Sequence, residues 1–433
     1  MKKKLLIYAH YYYPDVASTG QILTELAEGM KEHFDITVIC VVPSYTGVIP
    51  QLYKEKKYYF EEMNGIKIVR VKVPEFRKNN KISRVKNILT YFIRALIATF
   101  KVGKQDFVYS ISQPPILGGL LGVWGKWTKR AKYIYNIHDF NPEQTRAVNY
   151  SKNKIILKLM LVLDKFSCKQ ADKLIFVGRD MIETLENRFR LSDGSMSKRM
   201  PHYSCINNWS NENEIYPLNP DNEGVVAFKR KYGLDNKFVI MYSGNIGLYY
   251  DLENLIKVIA KFKDDKDIVF AFVGEGTVLN SLKKYKEQNN VENIIFIPYQ
   301  DKKDLIYSLN AGDVHWVVNA KGIKGISVPS KLYGVMAAGK PVLGVLDKGS
   351  EARLIIEESN CGYVTEPGNY EEVEKIIMRF VREKGTNKQN EASNNGRKYL
   401  VSHLTKQISI NKYIEEIRSL DEEIIVERKS IYD

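Results

Sequence analysis

The chain has 433 residues, of which 44% are hydrophobic and 27% charged; this excludes a disordered chain and suits two globular domains of roughly 200 residues each. Its formal charge of +14 is uneven: residues 1–200 hold 34 Lys and Arg against 18 Asp and Glu, whereas residues 201–433 hold 31 against 33. The excess in the first half predicts an anionic partner there, whether a membrane surface, a phosphorylated lipid or nucleic acid.

The start, Met1-Lys2-Lys3-Lys4, is charged like a signal peptide. Only five apolar residues follow before Tyr11-Tyr12-Tyr13-Pro14, so the stretch reads as a first strand. No run of about 18 uncharged apolar residues marks a spanning helix. Cys40, Cys168, Cys205 and Cys361 are scattered, with neither metal-ligand nor scaffold spacing, and this usage predicts a reducing cytoplasm.

Apolar runs rich in Val, Ile and Tyr recur at 3–9, 36–42, 66–73, 107–111, 133–137 and 174–177, and again at 238–242, 268–273, 294–297, 314–318 and 341–346. Segments of helical period lie between them, such as the stripes Ile22, Leu23, Leu26, Ala27, Met30 and Leu252, Leu255, Ile256, Ile259. Short apolar strands alternating with helices predict an α/β chain with parallel sheets covered on both faces. Because both halves repeat the pattern, two Rossmann-like domains are expected. The polar, turn-rich stretch 207–221 holds the seam. A last helix, about 406–420, is expected to pack back across the first domain. The first unit is then 1–212 with about 412–433, and the second 213–411.

One helix of the first half, 84–101, has Val85, Ile88, Leu89, Phe92, Ile93, Leu96 and Phe100 at helical spacing, with Arg77, Lys78, Lys81, Arg84 and Lys86 at its start. A second apolar patch spans 155–163. This pattern fits a helix on an anionic membrane or a core helix beside a basic loop.

Ligands of open parallel sheets bind beyond the carboxyl ends of the strands, where helix N-termini favour anions. Three turns there are rich in small residues: Asp15-Val16-Ala17-Ser18-Thr19-Gly20, Ser243-Gly244-Asn245-Ile246-Gly247 and Gly274-Glu275-Gly276-Thr277. Each reads as a phosphate loop or as a tight turn. A fourth stretch, Pro329-Ser330-Lys331, opens a helix that Gly339 ends. It brings N–H groups, a hydroxyl and an ammonium together where a diphosphate can sit, or else it is a plain surface helix. Gly334 stands in the middle of that helix at a cost of about 1 kcal/mol relative to Ala. Asp265-Lys266-Asp267 has the spacing of a metal-binding pair but lies at the amino end of a strand, so no metal site is expected.

Several motifs in order resemble the family 4 glycosyltransferases of the two-domain GT-B fold. They are Tyr13-Pro14 with Gly20, Asn136-Ile137-His138-Asp139-Phe140-Asn141-Pro142-Glu143, Ala171-Asp172-Lys173-Leu174-Ile175-Phe176-Val177, Asn208-Trp209, Tyr242-Ser243-Gly244-Asn245, Gly274-Glu275-Gly276, Pro329-Ser330-Lys331-Leu332-Tyr333 and Met336-Ala337-Ala338-Gly339-Lys340-Pro341-Val342. The nearest likeness is to the branch that builds bacterial capsule, O-antigen and colanic-acid-type polysaccharides. The resemblance implies two domains facing across a cleft and transfer of a sugar from a nucleotide donor, UDP-linked, with retention, without a metal or other cofactor. The acceptor is expected against the first domain and the donor against the second.

It also implies roles for residues. His138, Asp139 and Glu143 become the catalytic candidates. Gly20, Asn245, Gly247, Gly274, Ser330 and Lys331 are expected around the donor. Pro298 and Tyr299, which follow the run 294–297, read either as residues under the nucleobase or as a loop aromatic. The family's paired glutamates are replaced here by Ile326 and Gly334, so the ribose contact is expected from Glu351. Asn245 stands where the family often has an Arg, and Lys331 is expected to supply the charge. The expected partners are a nucleotide sugar, a lipid-linked saccharide acceptor and an anionic membrane surface. The expected location is the cytoplasm, at the inner face of the cell membrane. Two other readings are a GT-B-type nucleotide-sugar epimerase, which does not need the basic half, and a non-enzymatic basic binder of nucleic acid or membrane. Against nucleic acid, the Lys and Arg are not interleaved with a known reading motif.

Overall fold

The computed structural model describes residues 2–15, 17–77, 80–148 and 153–432, the last eleven of these as helical backbone only. Met1, Val16 and Lys78, named above, and Asp433 at the end of the expected last helix lie outside the described residues.

The first half builds strands β1 (Lys3–Tyr8), β2 (Phe34–Val41), β3 (Tyr58–Met63), β4 (Ile66–Val71), β5 (Phe107–Ile111), β6 (Lys132–Ile137), β7 (Lys173–Phe176) and β8 (Tyr203–Cys205). Its helices are α1 (Ser18–Met30), α2 (Lys81–Lys101), α3 (Leu117–Lys129), α4 (Glu143–Ala147), α5 (Lys154–Gln170) and α6 (Met181–Phe189). The second half has β9 (Phe238–Ser243), β10 (Ile268–Val273), β11 (Ile294–Ile297), β12 (Val314–Val318), β13 (Val342–Val345) and β14 (Gly362–Thr365). With them run α7 (Glu223–Lys231), α8 (Leu252–Ile259), α9 (Leu279–Gln288), α10 (Leu305–Ala311), α11 (Lys331–Ala337), α12 (Glu351–Ser359), α13 (Tyr370–Arg382), α14 (Asn387–His403) and α15 (Lys406–Tyr432).

Two sheets result, ordered β3-β4-β2-β1-β5-β6-β7-β8 and β11-β10-β9-β12-β13-β14. Every pairing is parallel except β3 with β4. The α/β class with two parallel sheets is thus as expected. Each of the eleven apolar runs holds a strand. The strands not foreseen, β3, β8 and β14, lie at sheet edges and are part-exposed.

The central strands are buried on both sides, and alternate residues feed two cores. Leu6 and Tyr8 point with Tyr91, Ala95, Leu121, Tyr133 and Cys168 to the layer of α2, α3 and α5. Leu5 and Ile7 join Leu23, Leu26, Ile410, Tyr413 and Ile417 on the side of α1 and α15. Helix α3 lies close to its sheet because Gly119, Gly122 and Gly125 face the rings of Tyr135, Tyr133 and Tyr8, where a methyl group would meet ring atoms within 3 Å. Helix α15 packs on the first sheet as expected, and it does so from its first turns: Ile410 already touches Gly29.

The two halves are in direct contact. The Phe140 N–H donates to the Ile326 carbonyl at 2.9 Å, and Asp139 and Ser327 form an antiparallel bridge. Ile326 and Val328, which follow β12, are buried in the core of the first half.

Candidate functional site

The carboxyl ends of both sheets face this contact. On the first sheet, the loops after β1, β5 and β6 and the start of α2 enclose a cavity of about 190 Å³. It is lined by His10, Tyr11, Phe76, Arg84, Asn87, Ile88, Gln113, Pro114, Pro115, Asp139, Asn141 and Gln144. Gly20 shapes one wall. A side chain there would press on the Tyr11 main chain at 3.2 Å, so the structure gives this glycine a packing role. His10 is buried, its Nε2 has no partner, and burial pushes its imidazole down to about 3.

Asp139 is part-buried and borders the cavity. Burial raises its carboxyl above the usual range, against hydrogen bonds from Ser327, Gln113 and Gln144; the Gln144 bond measures 2.9 Å. His138 beside it is buried, and burial pushes its imidazole down to about 4. The main-chain N–H groups of both residues donate to the Ser112 hydroxyl, at 3.1 and 3.2 Å.

Glu143 takes another course. Both of its oxygens accept from the Arg188 guanidinium, which also donates to buried Asp164 at 2.6 Å and to the Asn141 carbonyl at 2.8 Å. Glu143 borders a separate depression with Thr184, Arg188 and Gly325 rather than the cavity of Asp139. Of the three catalytic candidates, Glu143 is thus the one whose carboxylate is held by Arg188 as a strut of the loop.

Across the cleft, Lys331 begins α11. Its ammonium donates to the Tyr242 hydroxyl at 2.6 Å and stands 3.8 Å from the ring centres of both Tyr242 and Tyr250. The Tyr242 hydroxyl in turn donates to the Asn245 carbonyl at 2.6 Å. Among the described residues no carboxylate pairs with this ammonium, and burial drives it well below the usual lysine range. Ring faces attract a cation without neutralising it. Burial, and next the charge of Asp139, push the Tyr250 phenol up to about 12. Asp139 of the first half and the aromatic pair of the second therefore share one electrostatic environment.

The glycines at the ends of β9 and β10 fit into each other. Gly274 has φ of +136°, and a side chain there would lie 2.1 Å from the Gly244 carbonyl oxygen. A side chain at Gly244 would lie 3.6 Å from the Lys331 side chain. The exposed Asn245 and the buried Gly247 follow in the same loop. Ser330 is exposed at the start of α11 and makes no capping bond. Pro298 and Tyr299 are exposed after β11, and Tyr299 has a hydrogen bond with Gln21 of the first half.

Glu351 is 1% exposed. One oxygen accepts from the Arg179 main-chain N–H at 2.8 Å and from its Nε at 2.9 Å; the other accepts from the Asn207 amide at 2.9 Å. A carboxylate closed in this way offers nothing to a ribose, and that expectation is corrected: Glu351 joins the two halves. Gly334 has only Leu309 within contact range of a missing side chain, at 3.5 Å, so no close approach requires it.

Among the described residues no three His, Cys, Asp or Glu side chains gather as a metal-ligand set. Asp265 and Asp267 form a turn before β10, in which Asp265 accepts from the Asp267 N–H at 2.9 Å. Sequence reasoning missed the His10–Arg84–Asn87 cavity and the tyrosine pair around Lys331. Tyr242 and Tyr250 were visible as aromatics flanking a glycine turn.

Comparison with known proteins bears on the family and the fold. The family model for glycosyl transferases group 1 matches residues 227–399, and that for a glycosyl transferase 4-like domain matches 19–193. A probable glycosyltransferase, WbjE of Pseudomonas aeruginosa, is 28% identical over 308 residues, covering 71% of this chain and 74% of its own. The putative colanic acid biosynthesis glycosyl transferase WcaI of Escherichia coli K12 is 22% identical, covering 96% of this chain and all of its own. Among solved structures, Anabaena HepE in complex with UDP and glucose superposes with a TM-score of 0.68 at 15% identity, covering 96% of this chain and 99% of its own.

Proposed function

Because the chain is a glycosyltransferase of the GT-B fold, resembling family 4, we propose that it moves a sugar from a nucleoside diphosphate sugar, UDP-linked, to a lipid-linked saccharide during assembly of a bacterial surface polysaccharide. The reaction retains configuration and needs no metal. It takes place in the cytoplasm, at the inner face of the cell membrane. The relationship to WcaI supports the polysaccharide setting, and the UDP complex of HepE supports the nucleotide.

The observation that carries this reading is the Lys331 ammonium, desolvated and without an acid partner, beside the β9 turn. A diphosphate restores the lost charge balance there. On this reading Asn245, Gly247, Gly274 and Ser330 contact the donor as well. Pro298 and Tyr299 receive the base. The cavity at Asp139 takes the acceptor, and Arg84 within it gives a phosphate-bearing acceptor a counter-charge. His138 and Asp139 hold the sugar between the halves, and the leaving phosphate takes the acceptor proton, so no further base is required.

The test is a thermal-shift panel of UDP, GDP, ADP, NAD and several UDP-sugars without metal. Selective stabilisation by UDP and one UDP-sugar is expected. A protein that none of them stabilises overturns the donor assignment.

A further inference from the structure

Helix α2 is apolar on two faces. Its inner face, with Tyr91, Ala95 and Ala98, is buried in the first core. Its outer face carries Ile82, Val85, Leu89, Ile93, Ile97 and Phe100, all exposed, Ile82 to 81% and Phe100 to 65%. These six recur every three or four residues and so form one stripe along the helix. Helix α5 repeats the feature with exposed Ile155, Leu159 and Val162, and Trp127 is exposed on α3. The three helices form one layer with α3 packed against both others, and Phe100 meets Trp124 as Trp127 meets Phe166, edge to face. Helix α15 lies against the opposite face of the sheet and does not cover this layer.

The charge around the stripe is of one sign. Helices α2, α3 and α5 contain eleven Lys and Arg and one acid, Asp164, which is buried and tied to Arg188 and Tyr135. Exposed Lys86, Lys101, Lys154 and Lys158 flank the apolar side chains. A second copy of this face would bring cation against cation, so the charge disfavours self-association. An interfacial helix layer with an apolar centre and a cationic border matches an anionic bilayer.

We infer that the outer face of α2, α3 and α5 seats this protein on an anionic lipid surface, with the apolar stripe in the acyl boundary and the lysines among the headgroups. This deepens the lipid-linked reading of the acceptor and rests on it for its purpose: Arg84, Asn87 and Ile88 of α2 line the cavity, so the cavity opens beside the lipid-facing stripe. The physical claim itself is independent of sugar transfer.

The test is co-sedimentation of the full chain, without donor or acceptor, with vesicles of phosphatidylcholine alone and of equal parts phosphatidylcholine and phosphatidylglycerol. The wild-type protein is expected to partition at least tenfold better onto the anionic vesicles. The double substitution Ile93→Glu/Leu159→Glu is expected to lower that partition at least tenfold at unchanged melting temperature, and Met378→Glu, on an exposed apolar residue of the second half, to leave it unchanged. If the double glutamate does not fold, Ile93→Ser/Leu159→Ser is expected to give a smaller loss in the same direction. Wild-type protein that ignores anionic vesicles overturns the inference. So does equal partition of the folded double variant and the wild type, or a wild-type dimer that the same substitutions make monomeric without any vesicle binding. Vesicle binding without any nucleotide response would overturn the proposed function and leave this inference standing.

Discussion

Glu351 and Arg179, 172 residues apart in sequence, are joined by two hydrogen bonds to one buried carboxylate oxygen. The pair fixes the start of α12 against the loop after β7, and the carboxylate also suits the positive end of its helix. Glu351→Ala leaves the Arg179 main-chain N–H without its acceptor and takes one of two acceptors from the Asn207 amide. A loss of about 3 kcal/mol in unfolding free energy is expected, with UDP affinity changed little in the protein that remains folded. Unchanged stability together with abolished UDP binding would return Glu351 to the ribose.

Lys331→Met should behave in the opposite way. The ammonium is desolvated and has no acid partner among the described residues, so its removal costs the fold little. UDP affinity measured by calorimetry should fall tenfold or more. Equal affinity in the two proteins would remove Lys331 from the diphosphate.

Gly334→Ala and Gly274→Ala should separate a free position from a constrained one. At Gly334 the new methyl group meets only Leu309, at 3.5 Å, and the helix gains about 0.5–1 kcal/mol. At Gly274 it would meet the Gly244 carbonyl on a backbone with positive φ, and about 2 kcal/mol or more should be lost. Melting curves of both variants decide the matter. Destabilisation by Gly334→Ala would mean that something else fills that space.

Stability should fall on mild acidification. His138 is held neutral by burial, down to about 4, and His10 and His315 to about 3. The unfolded chain binds these protons near pH 6.5. The stabilisation is therefore complete above that value and is lost as pH falls towards the folded values. For His138 the loss by pH 4 is about 3 kcal/mol. His138→Gln should make the fall between pH 6.5 and 4 shallower. A variant with the same slope as wild type would show that the imidazole is not buried neutral.

The repeating apolar runs made the two parallel sheets legible because a strand covered on both faces has to be apolar throughout. Strand β3 escaped notice because it is an antiparallel edge whose Tyr-Tyr-Phe-Glu-Glu-Met mixes apolar and acidic residues. Strand β14 begins with a glycine, and β8 has three half-exposed residues. For the site, the motifs placed Asp139 just beyond a strand end and Lys331 at a helix start, as found. What they did not give is the partners. Arg188 lies 45 residues from Glu143, Tyr242 lies 89 from Lys331, and only the folded arrangement brings each pair together. A carboxylate looks the same in sequence whether it faces a ligand or an arginine.

The main-chain bond from Phe140 to Ile326 lies one residue from Asp139 and five from Lys331. Widening the cleft breaks it and moves Ile326 and Val328 out of an apolar core into water, at about 1.5–3 kcal/mol for each side chain fully exposed. These contacts favour the arrangement in which the two halves touch. Under the proposed function this seam stands between the bound nucleotide and water, and Ile326→Ala is then expected to speed nucleotide release, read by stopped-flow, while leaving the reacting groups untouched.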